Sequence, residues 1–125
     1  MLDVRKWAVG VCLVLAFGGR ALAWGAIAID DPQGWEANKI VYGVSLGQGT
    51  RQKAQAEALA DCQKKAHRYC RLQLVFQGCG AFASSPIWYA AGAGVNRKTA
   101  EQNSLHSCGN PQCMIVTSQC ESGSR

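Results

Sequence analysis

Residues 24–28 read Trp-Gly-Ala-Ile-Ala, and residues 79–83 read Cys-Gly-Ala-Phe-Ala. Both segments are short and apolar, which is typical of a buried β-strand. Each is followed by a second strand-like segment with an aromatic residue near its start, Tyr42 in the first half of the chain and Tyr89 in the second. The sequence therefore predicts two copies of one structural unit.

The two copies also share a helical segment that ends in cysteine. The segments ending at Cys62 and Cys108 carry Ala and Leu at matching positions. Thr50 and Asn96 stand just before these segments, and the side-chain oxygen of either residue type can accept a free amide hydrogen of the first helical turn. The matching caps strengthen the prediction of one helix in each copy.

The order of elements in each copy is strand, strand, helix, strand. After the strands at the two quoted segments, the remaining strands are predicted at residues 42–46, 72–76, 87–91 and 114–118. Small side chains at Ala54, Ala58 and Cys62 form one stripe of the first helix, which allows a helix to lie close on a sheet. We predict an α+β fold in which both repeats share one mostly antiparallel sheet, with the two helices on one face.

The beginning of the chain has the three parts of an export signal. Arg5 and Lys6 form a basic start, residues 7–19 are an uncharged apolar run, and residues 20–23 end in the small residues that signal peptidase reads. The apolar run is shorter than the ~20 residues that span a bilayer as a helix. We therefore predict a cleavable signal peptide that is cut after Ala23.

This cut divides the chain into a signal peptide, residues 1–23, and one domain, residues 24–125, with repeats at about 24–78 and 79–120. Lipidation at Cys12 is the less suitable alternative, because bulky Val11 precedes it. The mature protein is expected in the periplasm or outside the cell, with no stable insertion in the membrane.

Six cysteines remain in the predicted mature domain, as expected of a small exported protein that relies on disulfides. Spacing alone permits many pairings, but equivalent cysteines of a repeat should have equivalent partners. A zinc site would need closer cysteine pairs and reduced thiols, and a redox pair would need Cys-x-x-Cys. The predicted disulfides, the last of which would join the two halves, are Cys62–Cys70, Cys108–Cys113 and Cys79–Cys120.

The sequence offers few candidates for catalysis. The titratable candidates in the predicted mature domain are two histidines, His67 and His106, and the acids Asp30, Asp31, Glu36, Glu57, Asp61, Glu101 and Glu121. Asp30 with either Glu36 or Glu57 could form the carboxylate pair of a glycosidase. The same pattern equally fits acids that are simply solvated on the surface. Gly47-x-Gly49 lacks the third glycine and the Lys-Ser/Thr of a phosphate loop, so it predicts a turn. We predict that the protein is not an enzyme and that it holds no cofactor or metal.

Two features are typical of binding surfaces. A basic run near the end of the first helix could contact an acidic partner, although cations there also stabilise the helix dipole. Trp35 lies in a segment, residues 31–38, that the second half lacks, and tryptophan is enriched among binding hot spots. Trp88 and Tyr89 are predicted to pack in the core and on the sheet. The predicted binding residues are Trp35, Lys64, Lys65, Arg68 and Arg71.

The repeat frame resembles the domain-of-unknown-function family 4189 over residues 24–120. The resemblance rests on Gly-Ala-Ile-Ala after the signal, Ala-x-x-x-Ala-Leu-x-x-Cys ending at Cys62, its echo before Cys108, and the Cys-x-x-x-x-Cys and closing cysteine that follow. It implies a small exported bacterial protein with no common enzyme chemistry. It also implies a kinship with periplasmic immunity partners of toxins delivered by type IV secretion, and with secreted proteins of mycobacteria and their relatives.

Two departures from the family frame, the longer spacing from Cys62 to Cys70 and the segment that carries Trp35, indicate that the recognition surface is particular to this chain. The predicted function is a periplasmic immunity protein that neutralises an incoming or co-encoded antibacterial toxin by protein–protein binding. The alternatives are a secreted effector or envelope-stress factor that binds cell-wall or host components, and a small hydrolase. Nucleic acid is not an expected partner.

Overall fold

The predicted repeat is present as two successive strand-strand-helix-strand units in the computed structural model, which describes residues 23–30, 40–66 and 69–121. The first unit consists of β1 (Trp24–Asp30), β2 (Tyr42–Gln48), α1 (Arg51–Ala66) and β3 (Cys70–Phe76). The second consists of β4 (Cys79–Ser84), β5 (Tyr89–Gly94), α2 (Arg97–Cys108) and β6 (Met114–Cys120). Over these ranges, neither helix combines the length and hydrophobicity that a membrane crossing requires.

Both helices begin at the predicted caps. The Thr50 hydroxyl accepts the Lys53 N–H at 3.1 Å, and the Asn96 side-chain oxygen accepts the Thr99 N–H at 2.8 Å. The second helix ends at Gly109, whose left-handed backbone (φ 79°) lets its N–H reach the Leu105 carbonyl. Local side-chain chemistry therefore sets these helix ends.

Each unit forms its own antiparallel three-stranded sheet. The strand order is β2-β1-β3 in the first sheet and β5-β4-β6 in the second. The first strand of each unit is central and pairs with both of its neighbours. A central strand has no free edge, so the two sheets cannot continue into each other through β1 or β4.

The central strands present different residues on their two faces. Ala26 and Ala28 pack with α1, while Ile27 and Ile29 pack in a cluster with Phe82 of the other sheet. Successive strand residues point to opposite faces, so α1 covers one face of the first sheet and the second sheet covers the other. The second unit repeats this arrangement, because Ala81 of β4 packs with Ala100 of α2.

The α+β class and the two strand-strand-helix-strand repeats are confirmed, and the arrangement of the sheets differs from the predicted one in one respect. The repeats do not share a single sheet with both helices on one face; two sheets stack face to face, with one helix on each outer face. The physical reason is that β1 is apolar on both faces and is buried from Gly25 to Asp30, which requires a cover on each side.

Three disulfides brace this arrangement, and they are the predicted pairs Cys62–Cys70, Cys108–Cys113 and Cys79–Cys120. The first connects α1 to the first residue of β3, and the second connects the last residue of α2 to the residue just before β6. The third does not join the two halves as predicted. Cys79 and Cys120 face each other on β4 and β6 of the same sheet, so this bridge closes the second unit alone.

Candidate functional site

The predicted basic surface lies at the end of α1 and the start of β3. Lys64 and Lys65 are exposed in the last turns of α1, and Arg71 is exposed on β3. Trp35 and Arg68 lie outside the described residues. Whether the five residues form one surface therefore stays a prediction.

Lys65 connects α1 to β2, in addition to its predicted role in binding. Its ammonium group lies 3.0 Å from Asp61 Oδ2 and donates to the Tyr42 carbonyl at 3.3 Å. The same Asp61 oxygen accepts the Val44 N–H at 3.0 Å. Tyr42 and Val44 belong to the edge strand β2, whose unpaired backbone groups would otherwise be available to another chain.

The second unit protects its edge strand by the same means with different residues. Asn103 of α2 donates to the Ala93 carbonyl of β5 at 2.7 Å. Arg97, at the start of α2, donates to the Ser118 carbonyl on the opposite edge strand, β6. Side chains of the covering helix therefore occupy backbone groups of edge strands in both sheets.

The pKa of Asp61 reflects its contacts with Val44 and Lys65. Partial burial, the largest effect, raises the pKa, but the Val44 N–H, the hydrogen bond and charge of Lys65, and the charge of Lys64 together hold it below its ordinary value. The ionised carboxylate is therefore the form that the folded state favours.

We expect Asp61→Asn to lower the free energy of unfolding by about 1 kcal/mol at neutral pH, because the substitution weakens two charge-assisted hydrogen bonds. The folded pKa is depressed, so the contribution of Asp61 is present above the unfolded carboxyl pKa of about 3.9. It is lost as the pH falls through the lower folded value. Urea denaturation of both proteins from neutral to strongly acidic pH measures this; a difference that does not change with pH would contradict it.

A shallow groove of about 300 Å³ lies between β2 and α1, lined by Leu46, Glu57, Asp61 and Lys64 among others. It carries charges of both signs. Because Asp61 already pairs with Lys65, the groove presents Glu57 and Lys64 to solvent. This mixed lining favours neither an anionic nor a cationic ligand.

The candidate acids and histidines occupy separate elements. Asp30 is buried at the end of β1, whereas Glu57 and His106 are exposed on α1 and α2. Glu36 and His67 lie outside the described residues. Among the residues that the structure describes, no group of three or more His, Cys, Asp or Glu side chains could hold a metal ion.

The second unit presents an apolar surface that the sequence interpretation missed. Ile87, Trp88 and Met114, called here the apolar cluster, are 69%, 59% and 63% exposed. Ser84 pairs with Tyr89 of β5 on one side and with Met114 of β6 on the other. The cluster therefore lies at one end of the second sheet, across strands that are about 10 Å apart.

The turn that carries Ile87 and Trp88 is held by a buried serine. Ser85 is 1% exposed; its backbone N–H and its hydroxyl both donate to the Trp88 carbonyl at 2.8 Å. The hydroxyl oxygen also accepts the Trp88 N–H at 3.0 Å and the Asn110 side-chain amide at 2.9 Å. Asn110 lies inside the loop that Cys108–Cys113 closes, so a disulfide supports the turn.

The prediction that Trp88 packs in the core is wrong, while Tyr89 does pack against the core between the sheets. The strand begins at Tyr89 rather than at Ile87, which leaves Ile87 and Trp88 in the preceding turn. Pro86 was the available signal, since proline next to two serines is typical of a turn and not of a strand interior.

The fold and this surface define a class: a small, duplicated α+β domain that is braced by disulfides and carries an exposed apolar cluster at one end of its second sheet. A family model described as Domain of unknown function (DUF4189) matches residues 24–120, and the chain belongs to that family. Neither a curated protein nor a solved structure shows significant similarity to the chain.

Proposed function

We propose that this protein acts outside the cytoplasm by binding another protein, with the apolar cluster inserted into an apolar pocket of the partner. The particular role that we propose is neutralisation of a secreted antibacterial toxin. Three paired disulfides support a location in an oxidising compartment. The single observation that carries the binding proposal is the exposed Trp88 on a turn held by buried Ser85.

The preorganised conformation of the turn is the physical reason to expect that Trp88 binds a partner. Large apolar side chains in water are unfavourable, and a mobile loop could partly withdraw them. Here a buried hydroxyl and the adjacent disulfide loop hold the turn in the conformation that presents Trp88. A binding surface that is already ordered loses less entropy on association, which raises affinity, and tryptophan is among the residue types enriched in hot spots.

The surroundings of the apolar cluster favour a protein over a membrane. No Asp, Glu, Lys or Arg occurs from Leu72 to Asn96 or from Gln102 to Cys120. The centres of protein interfaces are depleted of charge. Surfaces that bind anionic membranes instead combine apolar residues with Lys and Arg, and the segments around the cluster have neither.

We expect Trp88→Ala to weaken binding about 30-fold or more, which corresponds to the loss of one hot spot of about 2 kcal/mol. Because Trp88 is 59% exposed, the melting temperature should change little. The measurement is calorimetric titration of the exported protein with a secreted toxin whose gene is found to neighbour its own, together with survival of cells that produce this toxin.

Tyr69→Ala is the matched control, since Tyr69 is a 77% exposed aromatic residue of the first unit, and it should bind as the wild type does. Equal affinity of Trp88→Ala and the wild type would show that the apolar cluster is not the binding surface. An absence of both binding and protection by the wild type would contradict the toxin-neutralising role.

A further inference from the structure

Glu121 is a buried acid that belongs neither to the hydrophobic core nor to the apolar cluster. It follows the disulfide cysteine Cys120 and is 6% exposed. One carboxylate oxygen, Oε1, accepts the Gly47 N–H at 2.8 Å, and the Glu121 N–H donates to the Gly78 carbonyl at 2.7 Å. The residue thereby connects the end of the second unit to the end of β2 in the first.

The second carboxylate oxygen of Glu121, Oε2, is buried and has no hydrogen-bond partner among the described residues. A buried carboxylate that lacks a full set of partners is costly, and such a group in a folded protein calls for an explanation. An additional hydrogen-bond donor beside Oε2 would satisfy this oxygen, and a positively charged donor would also balance the charge of the carboxylate.

Oε2 faces the first residues of β1. A Cβ atom added at Gly25 would lie 2.6 Å from Oε2 and 2.7 Å from the Phe76 ring. The carboxylate therefore occupies the space that a side chain at position 25 would take. The preceding residue, Trp24, is held in place by its pairing with Gln48 and by the Arg51 guanidinium, which lies 5.4 Å from the centre of the indole ring.

Export processing would place a new cation at this position. Cleavage after Ala23 converts the Trp24 backbone nitrogen from a neutral amide into an α-ammonium group with three donors. The Cα atoms of Trp24 and Gly25 are about 3.8 Å apart, as in any trans peptide. The new charge therefore arises one residue from Gly25, whose side-chain position Oε2 occupies.

We infer that Glu121 receives the α-ammonium group of mature Trp24, so that removal of the signal peptide completes the fold. The inference goes beyond the proposed binding function and rests on the predicted cleavage after Ala23. Before the cut, Oε2 faces a neutral backbone. After the cut, a buried ion pair links the first residue of the mature chain to the residue that follows β6 and, through Gly47, to the end of β2.

Four exported proteins test the inference: the wild type, Glu121→Gln, a protein with one glycine inserted between Ala23 and Trp24, and the combination of both changes. Intact mass first establishes the N-terminal residue of each protein. We expect Glu121→Gln to lower the melting temperature by about 5 °C or more when Trp24 is the first residue. In the glycine-extended background the ammonium group is displaced by about 3.5 Å, and the same substitution should leave the melting temperature unchanged or raise it.

Equal shifts in the two backgrounds, or a mature chain that does not begin at Trp24, would overturn the inference. Glu57→Gln is the control, because Glu57 is exposed on α1 and its effect should not depend on the extension. If Glu121→Gln does not fold, the rate at which the N-terminal amine is acylated shows whether the ion pair with Glu121 is present. We expect the wild type to react about tenfold more slowly than the glycine-extended protein, since a paired ammonium is held protonated; equal rates would overturn the ion pair.

Discussion

Gly43→Ala is expected to lower the free energy of unfolding by about 3 kcal/mol, the upper end of the usual range for overpacking. A Cβ atom at position 43 would overlap the backbone of α1 at Cys62 N and Ala58 O. Backbone atoms inside a helix cannot move aside as the end of a flexible side chain can. The whole helix would have to move away from β2, which would disturb the buried contacts of Ala54, Ala58 and Cys62.

Chemical denaturation of the oxidised proteins measures this effect. Gly49→Ala is the matched control, because an added Cβ there meets no atom within 4 Å, and we expect it to be neutral or slightly stabilising. Gly92→Ala provides the test in the second unit, where the added atom would overlap the α2 backbone at Ser104 N. Equal stabilities of Gly43→Ala and Gly49→Ala would contradict the close approach of α1 to the first sheet.

Removal of the Cys79–Cys120 disulfide is the second change with a large expected effect. The two cysteines are 41 residues apart in sequence, and the chain-entropy model assigns about 4 kcal/mol to a loop of this length. Cys79 is fully buried, so its replacement also removes packing against Ala81 and Ala100. That loss approaches the entire stability of an ordinary small domain.

The comparison is between two double variants, Cys79→Ala/Cys120→Ala and Cys108→Ala/Cys113→Ala. The second pair closes a loop with a separation of only 5 residues, for which the same model gives about 2 kcal/mol. Urea denaturation at neutral pH should therefore rank the first variant as clearly less stable. The reverse order would show that the short loop beside Ser85 contributes more to the fold than chain entropy predicts.

The sequence predicted only part of the candidate binding site around Trp88. Periodicity predicted Tyr89 in a strand against the core, and the structure confirms it. The exposure of Trp88 was missed because hydrophobicity alone does not say whether a residue beside a strand start belongs to the strand or to the turn. The role of Ser85 was also hidden, since it depends on Asn110, which is distant in sequence and close in space.

The amino-acid pattern predicted the repeat, the strand-strand-helix-strand order and the caps at Thr50 and Asn96, and the symmetry of the repeat indicated the disulfide pairs. Each of these depends on local chemistry or on symmetry between equivalent positions, both of which can be read along the chain. The stacking of two sheets between two helices, by contrast, is evident only in the folded protein. A strand that is apolar on both faces must be covered twice, but the pattern does not say whether a helix or a second sheet provides each cover.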